Sequence, residues 1–161
     1  MRLFSLRRIS VEIAAPRALV FEMAAALNGS LPGSPPHTAE LVERDGNTLL
    51  VRYRTPTLLS ELVMVERVQL YPPERIEYAV IEGPIDQVRE SLAFDALGPQ
   101  QTQVTYSGMV GSRRPLLGDL IARFIAVPAY DRFMRRQLRA LQQGAEAQAL
   151  RSRRFRRPET A

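Results

Sequence analysis

The order of its elements constrains this chain most. One short helical stretch near the start is followed by a run of alternating strand patterns. The chain then closes with one amphipathic helical stretch from about Pro115 to about Ala149. A curved antiparallel sheet gripping a single long helix can leave a hollow between the two layers. The order therefore points to an α+β fold and to a protein that holds an apolar molecule.

At 161 residues the chain is read as one domain, long enough to bury a real core. Residues 1–150 form that domain, and 151–161 are expected to be a basic, flexible tail. The formal charge of +5 hints at nucleic acid until its location is considered. Five arginines and one acid fall in 151–161, whereas the other 150 residues hold 17 arginines against 16 acids. The basic character belongs to the tail and not to a face of the domain, so nucleic acid is not the expected partner. Arg151, Arg153, Arg154, Arg156 and Arg157, with Phe155 among them, suit peripheral contact with anionic lipid headgroups instead. The sequence sets no oligomeric state.

Several chemistries are closed to this composition. Cysteine is absent, which excludes disulfides, thiol catalysis and thiolate metal sites. Lysine is absent too, which excludes a Schiff base on a lysine. His37 is the single histidine and lies in a Pro-rich loop, so a multi-histidine metal site cannot form. No metal and no cofactor is expected. No apolar run is long enough to span a bilayer, and Met1 to Ser10 holds no apolar stretch of signal-peptide length, so the expected location is cytoplasmic.

Residues 6–14 alternate, with Ile9, Val11 and Ile13 on one face and Arg8, Ser10 and Glu12 on the other, as in a half-buried strand. Ala15-Pro16 opens a helix with an apolar stripe of Leu19, Val20, Met23 and Leu27. Asn28 to Pro36 reads as a loop. Strands follow at about 38–44, 48–55, 59–71, 75–82, 86–96 and 101–110, broken by Asp45-Gly46, Pro72-Pro73, Gly83-Pro84 and Gly98-Pro99. That spacing predicts a seven-stranded antiparallel meander. In the closing stretch, Leu117, Leu120, Ile121, Phe124, Tyr130, Met134, Leu138 and Leu141 recur at near-helical spacing. Pro128 interrupts it and predicts a kink or two helices.

Three segments resemble a known family. Ile9 to Phe21 looks like the opening strand and helix of the START-like, polyketide cyclase/dehydrase and lipid-transport superfamily. Val68-Gln-Leu-Tyr-Pro-Pro-Glu-Arg-Ile76 resembles its strand, Pro-Pro turn and strand, and Arg135 to Glu146 is similar to its closing helix. The resemblance covers roughly residues 7–148, and the order of the segments carries it. It implies a helix-grip fold, in which seven curved antiparallel strands wrap a long C-terminal helix around an apolar cavity. Members bind lipids, sterols, polyketides, quinones or plant hormones, and a minority are enzymes with no shared catalytic motif. This chain departs from the pattern at 29–36, where a Pro/Gly loop replaces a second short helix that often carries tryptophan; tryptophan is absent altogether.

Two glutamates break otherwise apolar strand faces. Leu62, Met64, Glu66, Val68 and Leu70 share one face, and Val88, Glu90, Leu92 and Phe94 share another. If these faces line a cavity, two carboxyls point into it. Such groups orient polar ligand atoms or serve as general acids and bases. The alternatives are a place near a strand end, pairing with Arg52, Arg67 or Arg89, or a bulge that turns either one outward. Tyr53, Tyr78 and Tyr106 fall on the apolar faces of their strands, with polar tips suited to a mixed pocket. The floor is expected from Leu117, Leu120, Ile121, Phe124, Tyr130, Met134 and Leu138, with Met64 and Met134 as adaptable fillers. Arg132, Arg135, Arg136 and Arg139 form a solvated helix face. The candidate ligand-binding set is thus Tyr53, Met64, Glu66, Tyr78, Glu90, Leu92, Tyr106, Leu120, Phe124, Tyr130 and Met134, and Glu66 and Glu90 are the candidate catalytic groups.

Three functions fit. The first is a carrier or sensor of a lipid-, polyketide- or quinone-like molecule. The second is an aromatase/cyclase-type enzyme working without metal or covalent intermediate. The third is a partner- or membrane-docking module.

Overall fold

The computed structural model describes residues 2–26, 36–85, 87–112 and 116–156. Its strands are β1 (Arg2–Ser5), β2 (Ile9–Ile13), β3 (Thr38–Asp45), β4 (Thr48–Pro56), β5 (Glu61–Tyr71), β6 (Arg75–Glu82), β7 (Gln87–Gly98) and β8 (Gln101–Ser112). Its helices are α1 (Arg17–Ala25), α2 (Leu117–Ile121) and α3 (Val127–Arg156), with a π-helical segment, Ala122–Ala126, between the last two. The Pro/Gly loop expected at 28–36 falls outside the described residues up to Pro36, as does Leu27.

One antiparallel sheet runs in the order β1-β8-β7-β6-β5-β4-β3, with β2 also on β8. The expected first strand at 6–14 is only the second half of a longer path. β1 and β2 both pair with β8, Phe4 opposite Val110 and Val11 opposite Val104. Leu6 sits in the break and keeps one bond to the sheet, its N–H donating to the Gly108 carbonyl at 2.9 Å. Taken as one interrupted strand, β1 and β2 give the seven-strand helix-grip sheet. The expected meander accounts for the rest. At the β3–β4 hairpin the two-residue loop is Gly46-Asn47, one residue later than read from sequence. Gly46 takes φ +56°, the left-handed conformation that a primed hairpin turn requires.

Alternation places the inner side chains. Val51, Val68, Ile76, Val88, Phe94, Val104 and Tyr106 are almost wholly buried. α3 brings Leu138, Leu141, Ala145 and Ala149 to them from one stripe, while Arg132, Arg135, Arg136 and Arg139 face solvent. α1 closes one side, with the Phe21 ring edge-on to Phe94 at 5.4 Å between centroids. Two polar contacts pin α3 beside β2: Gln142 Nε2 donates to the Glu12 carbonyl at 2.9 Å, and Glu146 accepts from the Ala14 N–H at 3.1 Å.

Pro128 does not break the helical run, which continues from Leu117 to Arg156. It falls in the first turn of α3, and the π segment directly precedes it, as where a proline interrupts the i→i−4 ladder. The closing stretch is therefore three helical pieces. Its end also differs from expectation, because α3 runs past residue 150 to Arg156 and the first tail arginines lie on helix. No described helix is long and apolar enough to cross a membrane.

Candidate functional site

The N-terminal half of α3 does not fill the concave face of β4 to β7. Between them lies a cavity of about 470 Å³, within the range of small-molecule sites. Its sheet wall is set by register. Tyr53 lies opposite Met64, Val68 opposite Tyr78, Tyr78 opposite Glu90, and Leu92 opposite Tyr106. From α3 come Tyr130, Phe133, Met134, Gln137, Leu138 and Leu141; from the end of α1 come Met23 and Ala24 to Ala26.

Glu66 is 6 % exposed and lines this cavity. None of the alternatives open in the sequence accounts for it. Arg52 pairs with Glu40 at 3.1 Å, while Arg67 and Arg89, next to Glu66 and Glu90 in sequence, fall on the exposed face by simple alternation. The β5–β6 register does shift between Val65 and Glu66, but Glu66 stays on the inner face. No hydrogen bond or ion pair joins its carboxyl to another described residue. Burial pushes its pKa up to about 8, and the nearby Glu90 charge adds to that.

Glu90 is partnered. The Tyr106 hydroxyl donates to its Oε1 from the neighbouring strand. Burial raises the Glu90 pKa to about 7, and the Tyr106 hydrogen bond holds it down against that rise. Burial first, and then the two carboxylates, push the hydroxyls of Tyr53, Tyr106 and Tyr130 well above the usual tyrosine range. All stay protonated near neutral pH. Tyr78 follows the same direction, with burial again the largest cause. The Tyr130 hydroxyl reaches across the cavity to Met64 Sδ at 3.9 Å.

Nine of the expected residues thus meet around one space: Tyr53, Met64, Glu66, Tyr78, Glu90, Leu92, Tyr106, Tyr130 and Met134. Leu120 and Phe124 do not. They are 54 % and 64 % exposed, outside the lining. The expectation carried one helical phase from residue 115 to 149, and the π segment breaks that phase. One extra residue in a turn rotates what precedes it by about 100°. The side chains of Leu117 and Ile121 lie outside the described residues.

The sequence reading missed His37, Phe133 and Gln137. His37 was set aside as a loop residue, yet its ring lies 6.3 Å from that of Tyr53 and 6.0 Å from that of Phe133. Phe133 and Gln137 are i and i+4 on α3, flanking Met134, and that spacing was the available signal. Gln137 Oε1 is buried with no hydrogen-bond partner. Among the described residues no cluster of three His, Asp or Glu side chains could hold a metal.

An antiparallel sheet gripping a long helix, with a lined cavity between them, is the START-like helix-grip fold. Solved structures share it across most of the chain. The Zhui aromatase/cyclase from Streptomyces sp. R1128 superposes with a TM-score of 0.78 at 22 % identity, over 90 % of this chain and 94 % of that one. A START superfamily protein from Mycobacterium smegmatis gives a TM-score of 0.69 at 16 % identity, over 90 % and 97 %. The di-domain ARO/CYC StfQ of the steffimycin biosynthetic pathway gives 0.67 at 20 % identity, over 87 % of this chain and 44 % of that one. No family model and no curated protein matches the sequence.

Proposed function

We propose that this protein binds one small hydrophobic molecule between its sheet and α3, as a carrier or sensor. The cavity carries the reading: about 470 Å³, walled by Val68, Ile76, Leu92, Met134 and a ring of tyrosines. A core packed for stability alone leaves few voids larger than a water molecule. Native mass spectrometry of the purified protein, with solvent extraction of what it carries, tests this. A one-to-one adduct of an apolar molecule is expected. A protein that arrives empty and takes up no apolar probe would refute it.

The Glu66, Glu90 and Tyr106 group supports a second reading, a cyclase-type enzyme acting on a polyketide-like chain. One of the similar folds is an aromatase/cyclase by name. Two carboxyls with pKa values near 7 and 8 can give and take protons at neutral pH, and a shaped pocket can fold a reactive chain. Turnover of a linear polyketone to a cyclised product, lost in both Glu66→Gln and Glu90→Gln, is the expected result for this reading.

A further inference from the structure

The polar atoms of the cavity are unbalanced. Two carboxyls line it, and among the described residues no arginine does. Glu66 is more than nine-tenths buried, faces the space and has no partner among the described residues. Gln137 Oε1, on the same lining, is buried with no hydrogen-bond partner. A buried acceptor without a donor is costly, and this one shares its space with a carboxyl that no other described side chain meets. Around them stand the rings of Tyr53, Tyr78, Tyr106, Tyr130 and Phe133. Aromatic rings with carboxylates in a desolvated space attract a cation. What the site lacks is one positive charge carrying several N–H donors.

We propose that the ligand is an apolar molecule bearing a protonated amine, held by Glu66 and Gln137 within the tyrosine rings. This rests on the reading of the cavity as a ligand site and narrows it. An ammonium supplies three donors: one for Glu66, one for Gln137 Oε1 and one for Glu90, whose Oε1 already accepts from Tyr106. Carboxylate and phosphate heads are disfavoured, because no arginine among the described residues lines the cavity to offset their desolvation. Fatty acids and phospholipids are therefore poor ligands. The other titratable groups facing Glu66 are Glu90, Tyr53, Tyr78, Tyr106, Tyr130 and His37. The tyrosines are neutral in the working range, so the exchange of charge falls on the two carboxyls.

Three probes with one body separate the possibilities: naphthylmethylamine, naphthylmethanol and naphthylacetate, titrated into the full-length protein by calorimetry at neutral pH. The amine is expected to bind on the order of tenfold or more tighter than the alcohol, with the carboxylate weakest. Repeating the amine titration in buffers of different ionisation enthalpy is expected to reveal proton release as Glu66 ionises. Glu66→Gln is expected to bring the affinity of the amine down to that of the alcohol for the same variant. An alcohol that binds as tightly as the amine to the unaltered protein overturns the amine proposal and leaves the cavity reading standing. An amine advantage that survives Glu66→Gln overturns it in the same way. Failure of all three probes overturns both.

Discussion

The Tyr106 hydroxyl donates to Glu90 across β7 and β8, two strands that also place Leu92 opposite Tyr106 in the cavity wall. That bond favours the ionised form of a carboxyl that burial drives the other way. Tyr106→Phe removes it and nothing else of comparable size. The Glu90 pKa is expected to rise above its value near 7, by on the order of one unit, in a carboxyl-detected NMR titration. An unmoved pKa would mean that the hydroxyl does not control Glu90.

Glu66 makes a prediction about stability and pH. Its pKa is about 8 folded, against an ordinary 4.5, so the folded state holds the proton more tightly than the unfolded chain. The stability this contributes is full below the ordinary value and is lost as pH rises toward and through about 8. Glu90 adds a smaller loss on the way, through about 7. Glu66→Gln cannot ionise. It is expected to match the parent near pH 4 within about 1 kcal/mol and to exceed it near pH 9 by roughly 2–5 kcal/mol in urea denaturation. A difference between the two proteins that does not change with pH would remove the buried carboxyl from the argument.

Gly108 is the close approach that shapes this corner. A Cβ there would meet the Arg89 carbonyl oxygen and Leu6 Cδ1 at 2.9 Å, and Glu90 Cγ at 3.1 Å. Backbone cannot step aside as a flexible side chain can. Gly108→Ala is expected to cost about 1–3 kcal/mol and to disturb Glu90, seen as a lower melting temperature together with a shifted Glu90 titration. Unchanged stability would show that β7 and β8 can part freely here.

The tail arginines provide a separable test. Arg151 to Arg156 are exposed on the end of α3, away from the core residues of that helix. A chain ending at Leu150 is expected to keep its stability within about 0.5 kcal/mol. It should lose attraction to anionic phosphatidylserine vesicles, since each arginine near such a surface contributes about 1 kcal/mol. Equal vesicle partitioning by both chains would leave the tail no membrane role.

Alternation by itself determined the sheet. Period-2 patterns in β4 to β8, with turn residues at each break, marked the strands and put Glu66, Glu90 and three tyrosines on inner faces before any contact was known. This works because a strand offers a side chain only two directions, so a residue's parity decides its face. Composition likewise closed off thiol, lysine and multi-histidine chemistry without reference to shape.

Tertiary structure decided what parity cannot. Whether Glu66 meets an arginine depends on which side chains other strands bring to the same space, and among the described residues none does. Helical phase was legible only within α3. The π segment at Ala122–Ala126 shifted it, and Leu120 and Phe124 left the cavity for solvent. His37, just before β3, joined the lining beside Tyr53 of β4 and Phe133 of α3, the latter on a segment remote in sequence. The cavity itself was invisible to pattern, because a buried face looks the same in sequence whether its opposite wall touches it or stands away. The spacing between α3 and the sheet settles that, and it is fixed by how whole layers pack.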